Sequence, residues 1–396
     1  MTAHSPAHPG LAGGPVYLDY NATTPVDPRV TEAALPYWTE FFGNPSSDHP
    51  YGDRPRRALA ESRGQVAALI GAQAREMVFT ASGSEANLLA LRGWVLAADN
   101  PDTHLIVPGT EHPAVLETAR ALHRLHGTRV TVLPVDPDGL VAPAALEAAL
   151  TEAPAAGRTL VSIMAANNET GARQPIGELA GLAHAHGALV HCDAAQVCGK
   201  IPVDVRELGV DLLTLVGHKM YAPRGAAALY VRTGVALEPV IYGGGQERGL
   251  RAGTENVALA VALGTAAQLA ADELETGFPQ RIGALRDELH RRLAEALPGR
   301  VRLNGPAAPG RRLPNTLNIS IEGTRGHEVL ATTPAIAAST GSACHSGVHT
   351  PSPVLTAMGV PPERALGALR LTLGRWSTQD DIDIAVPALV DAVNIR

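Results

Sequence analysis

Short runs of apolar and β-branched residues alternate along most of this chain with longer amphipathic stretches rich in Ala and Leu. The runs Met77–Thr80, His104–Val107, Val130–Pro134, Leu160–Ala165, Ala188–Asp193, Leu212–Val216 and Ala226–Val231 predict seven strands. Between them, the spacing of apolar positions predicts helices over Arg57–Ile70, Ala114–His126 and Ile176–Ala185. Strands alternating with helices imply an α/β unit with a mostly parallel sheet covered on both faces. The alternation weakens after about residue 272, where long helical runs and the strands Thr316–Ile321 and Leu369–Leu373 indicate a second, smaller α+β domain. Its last helix has a cap signature, Thr378 with Asp381 three residues on. Residues 1–14, MTAHSPAHPGLAGG, are small and rich in Pro and Gly and predict disorder. The chain contains no internal repeat.

Composition narrows the class. With 396 residues, 45% of them hydrophobic and 18% charged, the chain can bury two cores and fits a soluble globular enzyme. The net charge of −7 and the absence of a basic block argue against a nucleic-acid partner. The longest apolar stretch, Val257 to Ala271, contains Gly264, Thr265 and Gln268 and falls short of the roughly 20 residues that span a bilayer. No secretory signal pattern is present, and three cysteines form no disulfide framework. These features together predict a cytoplasmic, reducing location without membrane attachment.

Candidate chemistry gathers where apolar runs end. Asp193 closes one run, and Lys219 follows another in Asp211-Leu-Leu-Thr-Leu-Val-Gly-His-Lys219. Open α/β sheets place ligand-contacting groups at such ends. A lysine able to form a Schiff base, with a buried acid able to hold a pyridinium nitrogen, is the recurring signature of a pyridoxal phosphate site. Beside Gly217 in an apolar context, an amine's pKa falls far enough for imine chemistry. The segment Ala81-Ser-Gly-Ser-Glu-Ala-Asn87 turns from a strand into a helix; it is either an anion-binding turn, with Gly83 allowing close approach and Ser84 donating, or an ordinary capped turn. His112 stands shortly after a strand, either to lie over a flat ring and move protons or as a structural imidazole. Asn167 and Asn168 follow the strand Leu160–Ala165, as ligand-binding amides or as turn formers. His191, Cys192, Asp193 and Cys198 are weak metal candidates, because successive strand residues point to opposite faces. The run Gly243–Thr254 has five glycines and two arginines without dinucleotide-fingerprint spacing, and reads as a loop meeting a phosphate or a neighbouring subunit. Cys344, in Ser339-Thr-Gly-Ser-Ala-Cys-His-Ser-Gly347, reads as a loop thiol beside His345, a setting that favours thiolate. A cysteine hydrolase would also use such a thiol, but leaves Lys219 and Asp193 without roles.

The ordered motifs YLDYNATTP, GNPSS, SGSEAN, EHPAV, ANNETG, HCDAAQ, GHK, GGGQERGLRAGTEN, SACHSG and LRLTLGR resemble, from Tyr17 to about Trp376, the cysteine desulfurases and their relatives the selenocysteine lyases. Both belong to the class V aminotransferase group. The resemblance implies fold-type I architecture, a pyridoxal 5'-phosphate cofactor and a homodimer with sites at the interface. It implies a large cofactor-binding domain over residues 27–272 and a small domain of 15–26 with 273–396 carrying the cysteine loop. Carried over residue by residue, Lys219 holds the cofactor as a Schiff base, Asp193 pairs with the ring nitrogen and His112 stacks on the ring. Gln196 bonds the phenolic oxygen, with Asn168 near that oxygen and the substrate carboxylate. Gly83, Ser84 and His218 hold the phosphate, with Thr254 given by the other subunit. Arg370 clamps the substrate carboxylate, a bidentate task suited to guanidinium. Cys344 takes sulfur from L-cysteine, releasing alanine, and passes it to an acceptor protein. Gly341 and Gly347 are hinge candidates.

Three departures qualify this. Many desulfurases have a phosphate-donating serine where this chain has Val216. Val216, SACHSG and PSPVL are more like selenocysteine lyases, whose reaction releases selenium from L-selenocysteine; Pro113 and the Cys344-to-Pro351 spacing are more like bacterial desulfurases. The chain ends at Arg396, soon after its last helix, without the longer tail by which housekeeping desulfurases meet an iron–sulfur scaffold.

Overall fold

The computed structural model describes residues 8–97, 102–152, 157–341 and 350–395. It contains twelve strands among those residues: β1 (Val16–Tyr17), β2 (Met77–Thr80), β3 (Thr103–Pro108), β4 (Arg129–Leu133), β5 (Arg158–Ser162), β6 (Leu189–Asp193), β7 (Leu212–Val216), β8 (Ala227–Val231), β9 (Val301–Leu303), β10 (Thr316–Ile321), β11 (Ile336–Ala337) and β12 (Ala368–Thr372). Seven of them form one sheet in the order β2-β8-β7-β6-β5-β3-β4. Only β8 runs against its neighbours β2 and β7. The sheet is therefore mostly parallel, as the alternating pattern predicts, with strand ends shifted by up to three residues.

Side chains alternate between two cores on the faces of this sheet. Ile106, Val161, Leu213 and Leu215 face one core, which takes in the helices Pro50–Leu69, Ile176–Ala185 and Val257–Glu275. Leu105, Val107, Leu160 and Leu212 face the other, under Gly83–Leu96 and Pro113–His126. The helix Pro50–Leu69 starts seven residues before the expected Arg57, with Pro50 in its first turn, and runs through Pro55. The helix Val257–Glu275 is long and apolar enough to cross a bilayer, yet half of that stretch is buried and it packs on Pro50–Leu69. It is a core helix, which explains a run of apolar residues interrupted by Gly264: a Cβ there would strike the Ser62 backbone.

A separate core joins Val16 and Leu18 to Ile282, Leu289, Leu317, Ile319, Leu369, Leu371 and Leu389. It carries the antiparallel sheet β12-β10-β9 and the parallel pair β1-β11. Thr378 and Asp381 make the reciprocal cap of the last helix, Gln379–Asn394. Disorder does not extend to residue 14: His8 bonds to the Val26 carbonyl and packs its ring on Trp376, holding a short turn at Pro9–Leu11. Residues 1–7 lie outside the described set.

Arg375 ties the two cores together. Its fully buried guanidinium bonds Asp27 at 2.6 Å and Glu273 at 2.6 and 2.8 Å, and lies over the Tyr221 ring at 3.9 Å. Tyr221 in turn accepts the Arg375 N–H at 2.6 Å and holds a left-handed φ of 66°, two residues after Lys219. Removing the buried Arg375 guanidinium leaves Glu273 without its cation and Asp27 with Arg29 alone. Arg375→Ala should therefore lower stability by about 3–5 kcal/mol. Urea unfolding checks this; a change within ordinary surface-substitution limits would contradict it.

Candidate active site

The carboxyl ends of β2, β3, β5, β6 and β7 converge on one cavity of about 380 Å³. Its walls include Gly83, Ser84, His112, Asn168, Asp193, Gln196, His218, Lys219 and Arg370. Every one of these was expected from sequence, although they span almost 290 positions of the chain. Thr254 is not among them. It lines a second cavity with Thr80, Glu247 and Arg251. Cys344 and Gly347 lie outside the described residues.

Each wall residue has a local cause. β7 ends at Val216 and passes into a tight turn, Gly217–Lys219, that delivers Lys219 Nζ to the carbonyls of Asn21 at 2.7 Å and Ala22 at 2.6 Å. Burial, then the nearby Arg370 guanidinium, pull the Lys219 pKa down to about 8. β6 ends at Asp193, whose two oxygens accept from Asn87 Nδ2 at 2.8 Å and the Ala195 N–H at 3.0 Å. Asn87 closes the SGSEAN motif, so its sequence position was visible but its partner was not. Its own Oδ1 is buried without a bond. His112 caps the helix Pro113–His126, its Nδ1 accepting from the Ala114 N–H at 3.1 Å, and burial lowers its pKa. His218 bonds Thr23 at 3.1 Å, and burial with Lys219 beside it lowers its pKa to about 4, so the ring is neutral at pH 7. At the start of Gly83–Leu96, Ser82 caps the helix and Gly83 packs against Val216: a Cβ at 83 would lie 2.7 Å from Val216 Cγ2. The apolar residue that replaces an expected hydroxyl is thus packed against this turn.

Three groups escaped the sequence. Asp19 accepts from Arg370 at 2.8 Å, fixing the guanidinium while its buried Nε keeps no partner. Asn21 bridges the wall, donating to the Asn168 carbonyl at 3.1 Å and Thr316 at 2.9 Å. Glu169, next to Asn168, accepts from Ser352 at 2.5 Å, and a Cβ at Gly341 would lie 2.7 Å from its carboxylate; burial raises its pKa to about 7. Gly341 itself has φ of 78°, so a side chain there is excluded twice over. Contacts across such sequence separations leave no periodic trace. Among the described residues no group of three His, Cys, Asp or Glu gathers as metal ligands would. His191 instead bonds Ser162 and Thr214.

The donor set suits an aromatic anion with an aldehyde. Two cationic side chains (Lys219, Arg370), a carboxylate (Asp193), a helix start and a neutral imidazole share one cavity. The class-V aminotransferase family matches residues 16–384. The cysteine desulfurase IscS of Rickettsia akari is 42% identical over 387 residues, covering 96% of this chain and 91% of its own. The chain belongs to the cysteine desulfurases. Among solved structures, a NifS-like protein superposes with a TM-score of 0.87 at 33% identity, covering 96% of this chain and all of its own. The protein SspA in complex with cysteine superposes with a TM-score of 0.79 at 35% identity, covering 91% and 99%. The desulfurase fold thus extends over both cores, including the strand β12 that carries Arg370.

The depressed Lys219 pKa has a defined sign. Between about pH 8 and the ordinary lysine range the folded chain binds fewer protons than the unfolded one, so the stability cost of this residue is full below pH 8 and fades as pH rises. The free amine should accordingly react with a small aromatic aldehyde with a midpoint near pH 8. Imine absorbance against pH, with Lys219→Met as the blank, measures it; a midpoint in the ordinary lysine range would contradict the reading.

Proposed function

We propose that this chain is a pyridoxal phosphate-dependent enzyme that removes sulfur from L-cysteine, giving L-alanine and a persulfide on Cys344. The observation that carries the reading is the meeting of Lys219, Asp193 and Arg370 in one cavity. It is supported by family membership and by a structural neighbour solved with cysteine. When bound, the cofactor supplies a protonated ring that draws negative charge away from the substrate Cα.

The chain's own groups have separable tasks. Lys219 would hold the cofactor covalently, and its Nζ, with a pKa near 8, is matched to take a proton from Cα at neutral pH. Asp193, fixed by Asn87 and the Ala195 N–H, would hold the ring nitrogen, and His112 would lie against the ring face. Gly83, Ser84 and His218 would hold the phosphate, with Thr254 reaching it from the second subunit of a homodimer. Gln196 and Asn168 would meet the phenolic oxygen. Arg370, already oriented by Asp19, would grip the substrate carboxylate. The Cys344 thiolate then attacks the substrate sulfur: an S–S bond forms, the Cβ–S bond breaks with its electron pair leaving on carbon, and protonation completes alanine. An acceptor protein would take the terminal sulfur.

Borohydride reduction of the loaded enzyme should fix a pyridoxyl group on Lys219, read by peptide mass. The same preparation should release alanine and, with reductant, sulfide from L-cysteine, and Cys344→Ala should lower that rate by about a hundredfold or more. Turnover of L-selenocysteine without L-cysteine turnover would replace this reading with the lyase; a label elsewhere would remove Lys219 from its place.

A further inference from the structure

The chain has 32 basic side chains, and only two of them, Lys200 and Lys219, are lysines. Both meet at one residue: Lys219 Nζ donates to the Asn21 backbone carbonyl, and Lys200 Nζ donates to the Asn21 side-chain oxygen at 3.1 Å. We propose that Lys200 is a positioning residue that fixes the donor polarity of the cavity wall beside Lys219, acting through Gln196 and Asn21. This rests on the reading that the cavity takes pyridoxal phosphate with its phenolic oxygen on Gln196.

The geometry is restrictive. Lys200 is buried, and its amine also donates to Gln196 Oε1 at 2.6 Å. A lysine N–H must face the oxygen end of a carboxamide, so this contact, with the Asn21 carbonyl on the other end, sets which way the Gln196 amide is turned. Its Nε2 is left on the other side, where one hydrogen goes to the Asn21 carbonyl at 3.1 Å and the second is free for a ligand oxygen in the cavity that Gln196 lines. The same amine fixes Asn21, whose Oδ1 also accepts from Asn315 at 2.9 Å and whose Nδ2 therefore faces Asn168 and Thr316. One side chain thus donates to the oxygen ends of two amides that line the cavity, reinforcing the turn that their other partners favour.

The residue type follows. Lys200 has two amide oxygens as acceptors and, among the described residues, no ion-paired carboxylate. Arginine would bring five donors and a permanent charge into this space. Lysine can shed its charge, and burial, then the neighbouring Lys219 and Arg370, push its pKa well below the ordinary value. In a chain that otherwise uses arginine, the exception stands where guanidinium chemistry fails.

The test is a double-mutant cycle on the full chain. Cofactor-free protein is titrated with pyridoxal 5'-phosphate and the visible band recorded. Lys200→Met should weaken binding about tenfold and shift the band, yet change binding by less than about twofold when Gln196 is already alanine. Equal losses in both backgrounds, or none in either, would overturn the proposal. Should Lys200→Met not fold, the unsubstituted lysine still answers. Protein labelled at lysine Nζ with nitrogen-15 gives two side-chain signals, and Lys219→Ala assigns the survivor to Lys200. That signal should titrate below the ordinary lysine range and move in Gln196→Ala. An ordinary pKa, or indifference to Gln196, would sink the assignment without reference to the cofactor. Failure of the wild-type protein to bind pyridoxal phosphate would instead sink the reading on which the proposal rests.

Discussion

The rest of the site depends on how a buried amine is kept in place without a carboxylate bonded to it. Lys219 Nζ is held by two backbone carbonyls, those of Asn21 and Ala22, which belong to the segment just after β1. Carbonyl oxygens hold either protonation state, so the amine can give up its proton without losing both partners. A carboxylate at the same distance would instead have raised the pKa and trapped the charge. The choice of partner thus sets the chemistry available to the lysine, and the N-terminal segment becomes part of the site.

That segment is also where the two cores meet. Asn21 bonds residues of both, and Arg370, on a strand of the smaller sheet, reaches Asp19 and the Asn168 carbonyl. Lys219 and Arg370 place two cationic groups in the cavity wall, a setting that attracts a phosphate and a substrate carboxylate. Electrostatics and architecture therefore point to the same occupant.

Much of this was legible beforehand because strand ends in open sheets are chemically exposed positions, and Asp193 and Lys219 are conspicuous there. The resemblance of ordered motifs then brought in Arg370 and gave His112, already a candidate, its expected role. Asp19, Asn21 and Glu169 stood inside quoted motifs yet carried no readable role. Their partners lie as far as 351 residues away, and nothing local encodes such a pairing. Lys200 drew no reading at all, since sequence shows neither its burial nor the amide it faces.

The Arg375 clamp has a consequence for biosynthesis. Glu273 emerges from the ribosome 102 residues before Arg375, the cation that pairs with it, and the strand carrying Arg370 emerges only just ahead of that cation. The large sheet can condense early, since its strands are contiguous over residues 77–231. Its ligand cavity, however, stays short of a wall until the last few dozen residues are made. On the proposed reading, a truncated product would carry the reactive lysine without Arg370, the group that grips the substrate carboxylate.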